Sequence, residues 1–235
     1  VINLFKRWVS PRPTLTTRQA ERLASWLALP ACDTRLGFEQ ARVVVVDVET
    51  TGLNLVTDTL ISIGAVAVVE GRIAFGDSFS VVLQQQQSSR KENILIHGIS
   101  GNQQRSGTEP IEALLDFLEY VGKSPLVAFH VTFDENMIRR ALKHHLGFKF
   151  IHPWLDLAYV MPGLYPPLAH SHRVLDDWIR RFKIRIELRH NALADAIATA
   201  QLLLIAQSRA NKININNFID LRDLERNQRW ISGVS

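Results

Sequence analysis

Arg42-Val-Val-Val-Val-Asp-Val-Glu-Thr-Thr-Gly52 is the stretch whose reading decides the fold. Val43 to Val46 are β-branched and read as a buried strand. Asp47 and Glu49 follow two residues apart, and because side chains alternate across a strand both project to one face. Core packing gives a valine strand no reason to end in two carboxylates on one side. Like charges so close repel unless a cation lies between them. A solvent-exposed strand end is the competing reading of an isolated Asp-x-Glu pair. Gly52 then lets the chain turn.

Working outward, residues 59–69 and 72–83 read as two further strands, joined by a hairpin turn at Glu70-Gly71. Residues 84–91, from Gln84 through Ser88 and Ser89 to Lys91, are polar and of low complexity and read as a loop. A helix is predicted over about 110–121, with Pro110 at its start where a missing N–H costs nothing. Residues 126–129 form a short strand and 134–146 an amphipathic helix. Two more helices are predicted over about 174–182 and 191–207, and a mostly polar amphipathic stretch over 215–230. Three meandering strands followed by β–α alternation imply a mixed sheet with helices on its faces, an α/β fold. Upstream, Pro11 and Pro13 frame a linker, and Leu15, Leu23, Trp26 and Leu27 sit at helical spacing over 16–29 before Pro30. Trp8 and Trp26 are expected to pack on the main domain, the alternative being a partner. The expected organisation is therefore an N-terminal helical extension (1–40), a catalytic domain (41–210) and a C-terminal helical tail (211–235).

Bulk composition narrows the class. The chain has 235 residues, 46% of them hydrophobic, which suffices for a real core. A formal charge of +4 suits an anionic partner such as nucleic acid without requiring one. Cys32 is the single cysteine, which excludes an intramolecular disulfide and thiolate zinc sites. Residues 1–10 carry Lys6, Arg7 and Trp8 where a signal peptide has an apolar core. The apolar run 192–206 is too short for a bilayer and is broken by Asp195, Thr199 and Gln201. A cytoplasmic setting with no membrane contact is the resulting expectation.

Two later segments add carboxylates. Thr132-Phe-Asp-Glu135 has the form of a capping box, with Thr132 as N-cap and Asp134 in the first helical turn directly after a strand. Acidic residues also favour helix starts through the macrodipole alone. His190 precedes Asp195 by five positions, with Asn191 as N-cap, so His190 lies in a loop and Asp195 in the first turns of the helix. Ala192, Ala196 and Ala200 give that helix a small-residue face that can lie close to a sheet. A histidine mostly neutral at pH 7 is in the state needed to take a proton from water. Hard oxygen donors without cysteine point to Mg²⁺ or Mn²⁺. Two such ions roughly 4 Å apart can clamp a phosphodiester, activating the attacking water and stabilising the leaving oxygen.

These segments together resemble the DnaQ-like (DEDD) 3′→5′ exonucleases. Val46-Asp47-Val-Glu49-Thr-Thr-Gly52 is similar to the family's first motif, Phe133-Asp134 to the core of its second, and His190-Asn-Ala-Leu-Ala-Asp195 to its third in the histidine form. Ile96-His97-Gly98-Ile99 resembles the family's His-Gly-Ile segment, and Trp154-Leu-Asp156-Leu the strand bearing a further Asp. The likeness covers about residues 42–207. It implies a ribonuclease H-like mixed five-stranded sheet flanked by helices. Asp47 would bridge two metals, Glu49 and Asp195 would serve the metal that activates water, and Asp134 the other, directly or through water. His190 would be the general base. Thr50, Gly52 and Leu53 would lie against the terminal nucleotide, with Phe133 on the substrate side. His97 would lie near the same nucleotide, the alternative being a surface-loop histidine. The family commonly has His-Asn where this chain has Phe129-His130; His130 can still donate to a phosphate, but Phe129 cannot replace a histidine.

Within that family the chain resembles the epsilon proofreading subunit of bacterial DNA polymerase III and its free-standing relatives. This resemblance implies single-stranded DNA 3′ ends as substrate, nucleoside monophosphates as products and a polymerase as a candidate partner. No Gln-x-x-Leu/Met-x-Phe clamp peptide stands in the tail, which favours a free-standing enzyme. Arg139, Arg140 and Lys143, and Arg180, Arg181, Lys183 and Arg185, are candidates to line the strand's path or are solvated helix faces. The alternatives are an RNA 3′-trimming exonuclease of the RNase T or oligoribonuclease kind, and a catalytically idle nucleic-acid-binding module.

Overall fold

The computed structural model describes residues 14–186 and 188–233; the expectations for Trp8, Pro11 and Pro13 lie outside them. Strand β1 (Arg42–Thr50) pairs antiparallel with β2 (Leu60–Val69), and β2 antiparallel with β3 (Arg72–Val82). β4 (Leu126–Ala128) pairs parallel with β1, and β5 (Trp154–Asp156) parallel with β4, giving one mixed sheet in the order β3-β2-β1-β4-β5. The β2–β3 turn is Glu70-Gly71, with φ of 52° and 68°. Two successive positive φ angles match the right-handed twist of the flanking strands.

Along the chain the helices are α1 (Thr17–Ala28), α2 (Lys91–His97), α3 (Gly101–Arg105), α4 (Pro110–Val121), α5 (Val131–Leu146), α6 (Leu157–Leu164), α7 (Leu175–Phe182), α8 (Ala192–Asn211) and α9 (Phe218–Ile231). Period-2 alternation in β1 divides the core in two. Val44, Val46 and Val48 pack with α1, α4 and α5, whereas Val43 and Val45 pack with α6 to α9. No described helix is long and apolar enough to cross a membrane.

Several expectations are corrected. β1 continues through Glu49 to Thr50, so the acidic pair lies inside the strand. The polar 84–91 segment leads into α2 and α3, which are too short to show periodicity, and Ser89 within it is buried. α6 carries Pro162 in its interior and was masked in the sequence by that residue. Thr132 is not the N-cap of α5. The helix starts at Val131 after His130, which has φ of 68° and makes no side-chain cap. The amides of His130 and Val131 are instead held by the Asp156 carboxylate, at 2.9 and 3.1 Å, a partner no local pattern reveals.

Candidate active site

Alternation places Asp47 and Glu49 on the Val43 and Val45 face of β1, toward α8. Asp47 stands opposite Gly64 of β2. A Cβ on Gly64 would fall 2.1 Å from the Leu193 nitrogen and 2.2 Å from the Ala192 carbonyl carbon. The first turn of α8 therefore rests on bare backbone, with Ala192, Ala196 and Ala200 buried behind it. Asn191 caps α8 by accepting the Ala194 amide at 3.1 Å. Asp195 is thus carried to β1, and one carboxylate oxygen each from Asp47, Glu49 and Asp195 lie within 4.8 Å of one another. A register shift between Glu49 and Thr50 ends the regular pairing there. Such bulges re-aim a strand end.

Asp134 enters from the other face of the sheet, in the first turn of α5, and is buried. It stands outside the group of three but is the first neighbouring charge to raise the Asp47 carboxyl. Burial, then Asp134, Asp195 and Glu49, hold Asp47 well above the ordinary carboxylate range. Burial and then Asp195 push Glu49 up to about 7. Burial raises Asp134 and Asp195 as well. A cluster of this kind is short of positive charge. Its all-oxygen, all-carboxylate donor set fits a hard divalent cation.

Arg189 was not foreseen. Its guanidinium bonds Asp195 through Nη1, and Asp176 of α7 through Nε at 2.8 Å. It lowers the Asp47 and Glu49 carboxyls against the larger effect of burial. The one available signal was an arginine directly before His190. His190 itself is exposed, with φ of 60°, and its amide donates to Asp195 Oδ2 at 3.0 Å.

The chain leaving β1 forms a closed loop over residues 51–58. Thr50 Oγ1 donates to the Gly52 carbonyl at 2.6 Å. The Asp58 carboxylate accepts from Thr51 Oγ1 and the Asn54 amide, both at 2.8 Å. A Cβ on Gly52 would lie 2.6 Å from Asp58 Oδ2, so a larger residue would displace the Asp58 carboxylate from its bonds to Thr51 and Asn54. Arg140 of α5 donates to the carbonyls of Leu55, Val56 and Asp58 at 2.6, 2.6 and 2.9 Å. That arginine, a candidate for a strand's path or for a solvated helix face, bonds the loop instead. Leu53 at the loop's tip is 85% exposed. Asn93 of α2 donates to the Thr51 carbonyl and ties α2 to the loop.

His97 is buried at the end of α2 rather than in a surface loop. Its Nδ1 accepts the Ile99 amide at 3.0 Å and its Nε2 lies 3.3 Å from Ser89 Oγ, and burial lowers its pKa. Both ring nitrogens are engaged within the α2–α3 segment. His130 is exposed beside the start of α5, edge-on to Phe129 with 4.9 Å between ring centroids. Phe129 packs against the α6–α9 core, and Phe133 is half-buried against the opposite one.

The family described as Exonuclease (RNase T) matches residues 44–203. The PolC-type DNA polymerase III of Bacillus subtilis (strain 168) is 34% identical over 168 residues, 71% of this chain and 11% of that protein. The PolC-type enzyme of Thermotoga petrophila is 29% identical over 188 residues, 80% of this chain and 13% of that protein. The chain thus spans only 11–13% of the length of these curated relatives. Exonuclease X in complex with 5′-overhanging duplex DNA superposes with a TM-score of 0.62 at 17% identity, over 78% of this chain and 99% of that one. E. coli exonuclease I in complex with a dT13 oligonucleotide does so with 0.61 at 18%, over 74% and 42%. At these identities the structural likeness shows the fold, and it is that of the mixed five-stranded sheet described above.

Proposed function

The chain belongs to the exonuclease family, of the DnaQ-like 3′→5′ type, and from that premise we propose that it hydrolyses single-stranded DNA from the 3′ end, releasing nucleoside monophosphates. The observation that carries this reading is the convergence of Asp47, Glu49 and Asp195 oxygens within 4.8 Å, with Asp134 close behind. Asp47, Glu49 and Asp195 would hold one divalent cation, and Asp47 with Asp134 a second. Mg²⁺ or Mn²⁺ suits these oxygens and, when bound, supplies charge neutralisation at the phosphodiester and acidifies water.

The chain's own groups do the rest. His190, exposed beside Asp195, takes the proton from the attacking water through its imidazole, while its backbone amide on Asp195 keeps it at the cluster. Thr50, Gly52 and Leu53 present the rigid loop edge to the terminal nucleotide, with Leu53 offering an apolar surface to a base. His130 at the start of α5 is available to a phosphate, and Phe133 backs the same end of that helix. His97 serves this reading indirectly, by holding the end of α2 to Ser89 and Ile99, while Asn93 ties that helix to the loop. PolC-type polymerases as relatives, and an exonuclease I neighbour holding a dT13 oligonucleotide, support DNA and an epsilon-like proofreading role with a polymerase as partner.

Digestion of matched 3′- and 5′-labelled DNA and RNA oligomers with Mg²⁺, Mn²⁺ or EDTA tests the reading. Stepwise loss of DNA from the 3′ end, with mononucleotide products and full inhibition by EDTA, is expected. Preference for RNA, 5′ polarity or metal-independent cleavage would each overturn it. His190→Ala is expected to lower turnover roughly 10²–10⁴-fold; a variant as fast as wild type at every pH would remove His190 as base.

A further inference from the structure

Helix α9 lies beyond the segment matched to the exonuclease family, residues 44–203, yet it reaches the catalytic end of the sheet. The contact runs through Asp156, the last residue of β5, which is 1% exposed. Its Oδ1 accepts the amides of His130 and Ala158 at 2.9 and 3.0 Å, and its Oδ2 the amide of Val131 at 3.1 Å. One carboxylate therefore satisfies the starts of both α5 and α6, where helices leave backbone donors unpaired. The first turn of α5 also carries Asp134.

A carboxylate so deeply buried requires a counter-charge. Arg229 of α9 supplies it: Nη2 donates to Asp156 Oδ2 at 2.8 Å and Nε to Glu225 Oε1 at 2.8 Å. The guanidinium also lies 4.0 Å from the centroid of the Tyr159 ring on α6. Glu225 Oε2 accepts the Asp156 amide at 3.1 Å, so α9 grips both the main chain and the side chain of one residue. Asp156 already acts against Asp134 as a neighbouring negative charge.

We propose that Arg229 and Glu225 of α9 are positioning residues of the active site, holding the Asp156 carboxylate fixed and, through it, the first turn of α5 with His130 and Asp134. The inference rests on the reading of Asp134 as a metal ligand. It makes α9 part of the catalytic framework rather than a tail.

The test uses the full chain as wild type, Arg229→Met, Arg229→Lys, Asp156→Asn and the Asp156→Asn/Arg229→Met double variant. Each is measured for hydrogen exchange at the His130 and Val131 amides without metal, for Mn²⁺ binding by calorimetry and for oligonucleotide turnover. Arg229→Met is expected to speed exchange at those two amides and to lose roughly 10–100-fold in Mn²⁺ affinity or turnover. Arg229→Lys should recover part of the loss, because it restores the charge without the planar fork. The double variant should be no worse than Asp156→Asn alone, since Arg229 acts through its contact with Asp156. Unchanged exchange and Mn²⁺ binding in Arg229→Met, or losses that add to those of Asp156→Asn, overturn the inference. If Arg229→Met does not fold, the double variant decides: folded and equal to Asp156→Asn supports the inference, unfolded defeats it. A wild-type chain that cleaves no oligonucleotide defeats the nuclease reading, while the amide exchange still reports on α9.

Discussion

Glu49 shows at the scale of one residue why this cluster needs a cation. Burial and Asp195 hold its pKa at about 7, above its ordinary 4.5. A carboxyl whose folded pKa is raised contributes stability that is complete below the unfolded value and lost as pH rises through the folded one. The metal-free protein is therefore expected to lose thermal stability between about pH 4.5 and 7, and Glu49→Gln to flatten that part of the profile. Added Mn²⁺ should restore stability most at the upper end of the window, with release of protons. Parallel melting curves for wild type and Glu49→Gln across this range would show that Glu49 does not carry the charge strain. The carboxylates were legible in the sequence because each motif is local: Asp47 and Glu49 share a strand face, and His190 and Asp195 flank one helix start. Arg189, Arg140 and Arg229 were not, because their roles depend on partners brought in by the fold. Arg140 bonds carbonyls 82 to 85 residues away and Arg229 a carboxylate 73 residues away. His97 shows the same limit, since its burial depends on Ser89 and on the two unforeseen helices.

At the scale of elements, the site is made by two close approaches. Gly64 lets α8 lie against β2, and no other residue fits while Leu193 N stands 2.1 Å from the position of its Cβ. Gly64→Ala must displace the start of α8 and is expected to cost about 1–3 kcal/mol as overpacking. It should weaken metal binding beyond that loss, because Asp195 moves with the helix. Calorimetric Mn²⁺ titration of folded Gly64→Ala checks this, and wild-type affinity would sink it. A glycine inside an apolar strand is a sequence signal for close backbone approach, so this contact was readable in principle. The second approach is Arg140 of α5 on the 51–58 loop. Arg140→Met is expected to loosen Leu53 and raise KM, by up to roughly 10²-fold where the loop shifts by an ångström. The salt dependence of DNA binding should keep its slope, which would fall by about one if Arg140 met a phosphate. Regular strands and long helices were legible from their periods. α2, α3 and α6 were not, since five to eight residues give too few turns and Pro162 reads as a breaker.

At the scale of the whole molecule, the question is whether the segment ahead of β1 is an appendage or part of the folding unit. α1 lies on α4 with Leu23 in the shared core and Gln19 bonded to Glu112, and its two largest contacts are one arginine and one tryptophan. Arg22 reaches Glu112, Asp116 and Glu119 at 2.6, 2.6 and 2.7 Å, but all three acids are 38–49% exposed in their side chains. Solvent screens such pairs, and each contributes on the order of 0–1 kcal/mol. Trp26 is different. It is 4% exposed, donates Nε1–H to the Gly122 carbonyl at 2.8 Å, and sits 5.9 and 6.0 Å from the Phe148 and Phe150 rings. Lys123 Nζ lies 3.3 Å from the centroid of its ring. Trp26 belongs to the same apolar cluster as Val44, Val46 and Val48, the alternate residues of the strand that carries Asp47 and Glu49. Trp26→Ala is therefore expected to cost about 3–5 kcal/mol, as a buried aromatic truncation does, and Arg22→Ala markedly less. The loss should appear as one cooperative transition at lower temperature, seen alike by circular dichroism and by fluorescence of the remaining tryptophans. Two separate transitions, with the later one at the wild-type temperature, would instead make α1 an independent appendage and leave the catalytic core to stand without it.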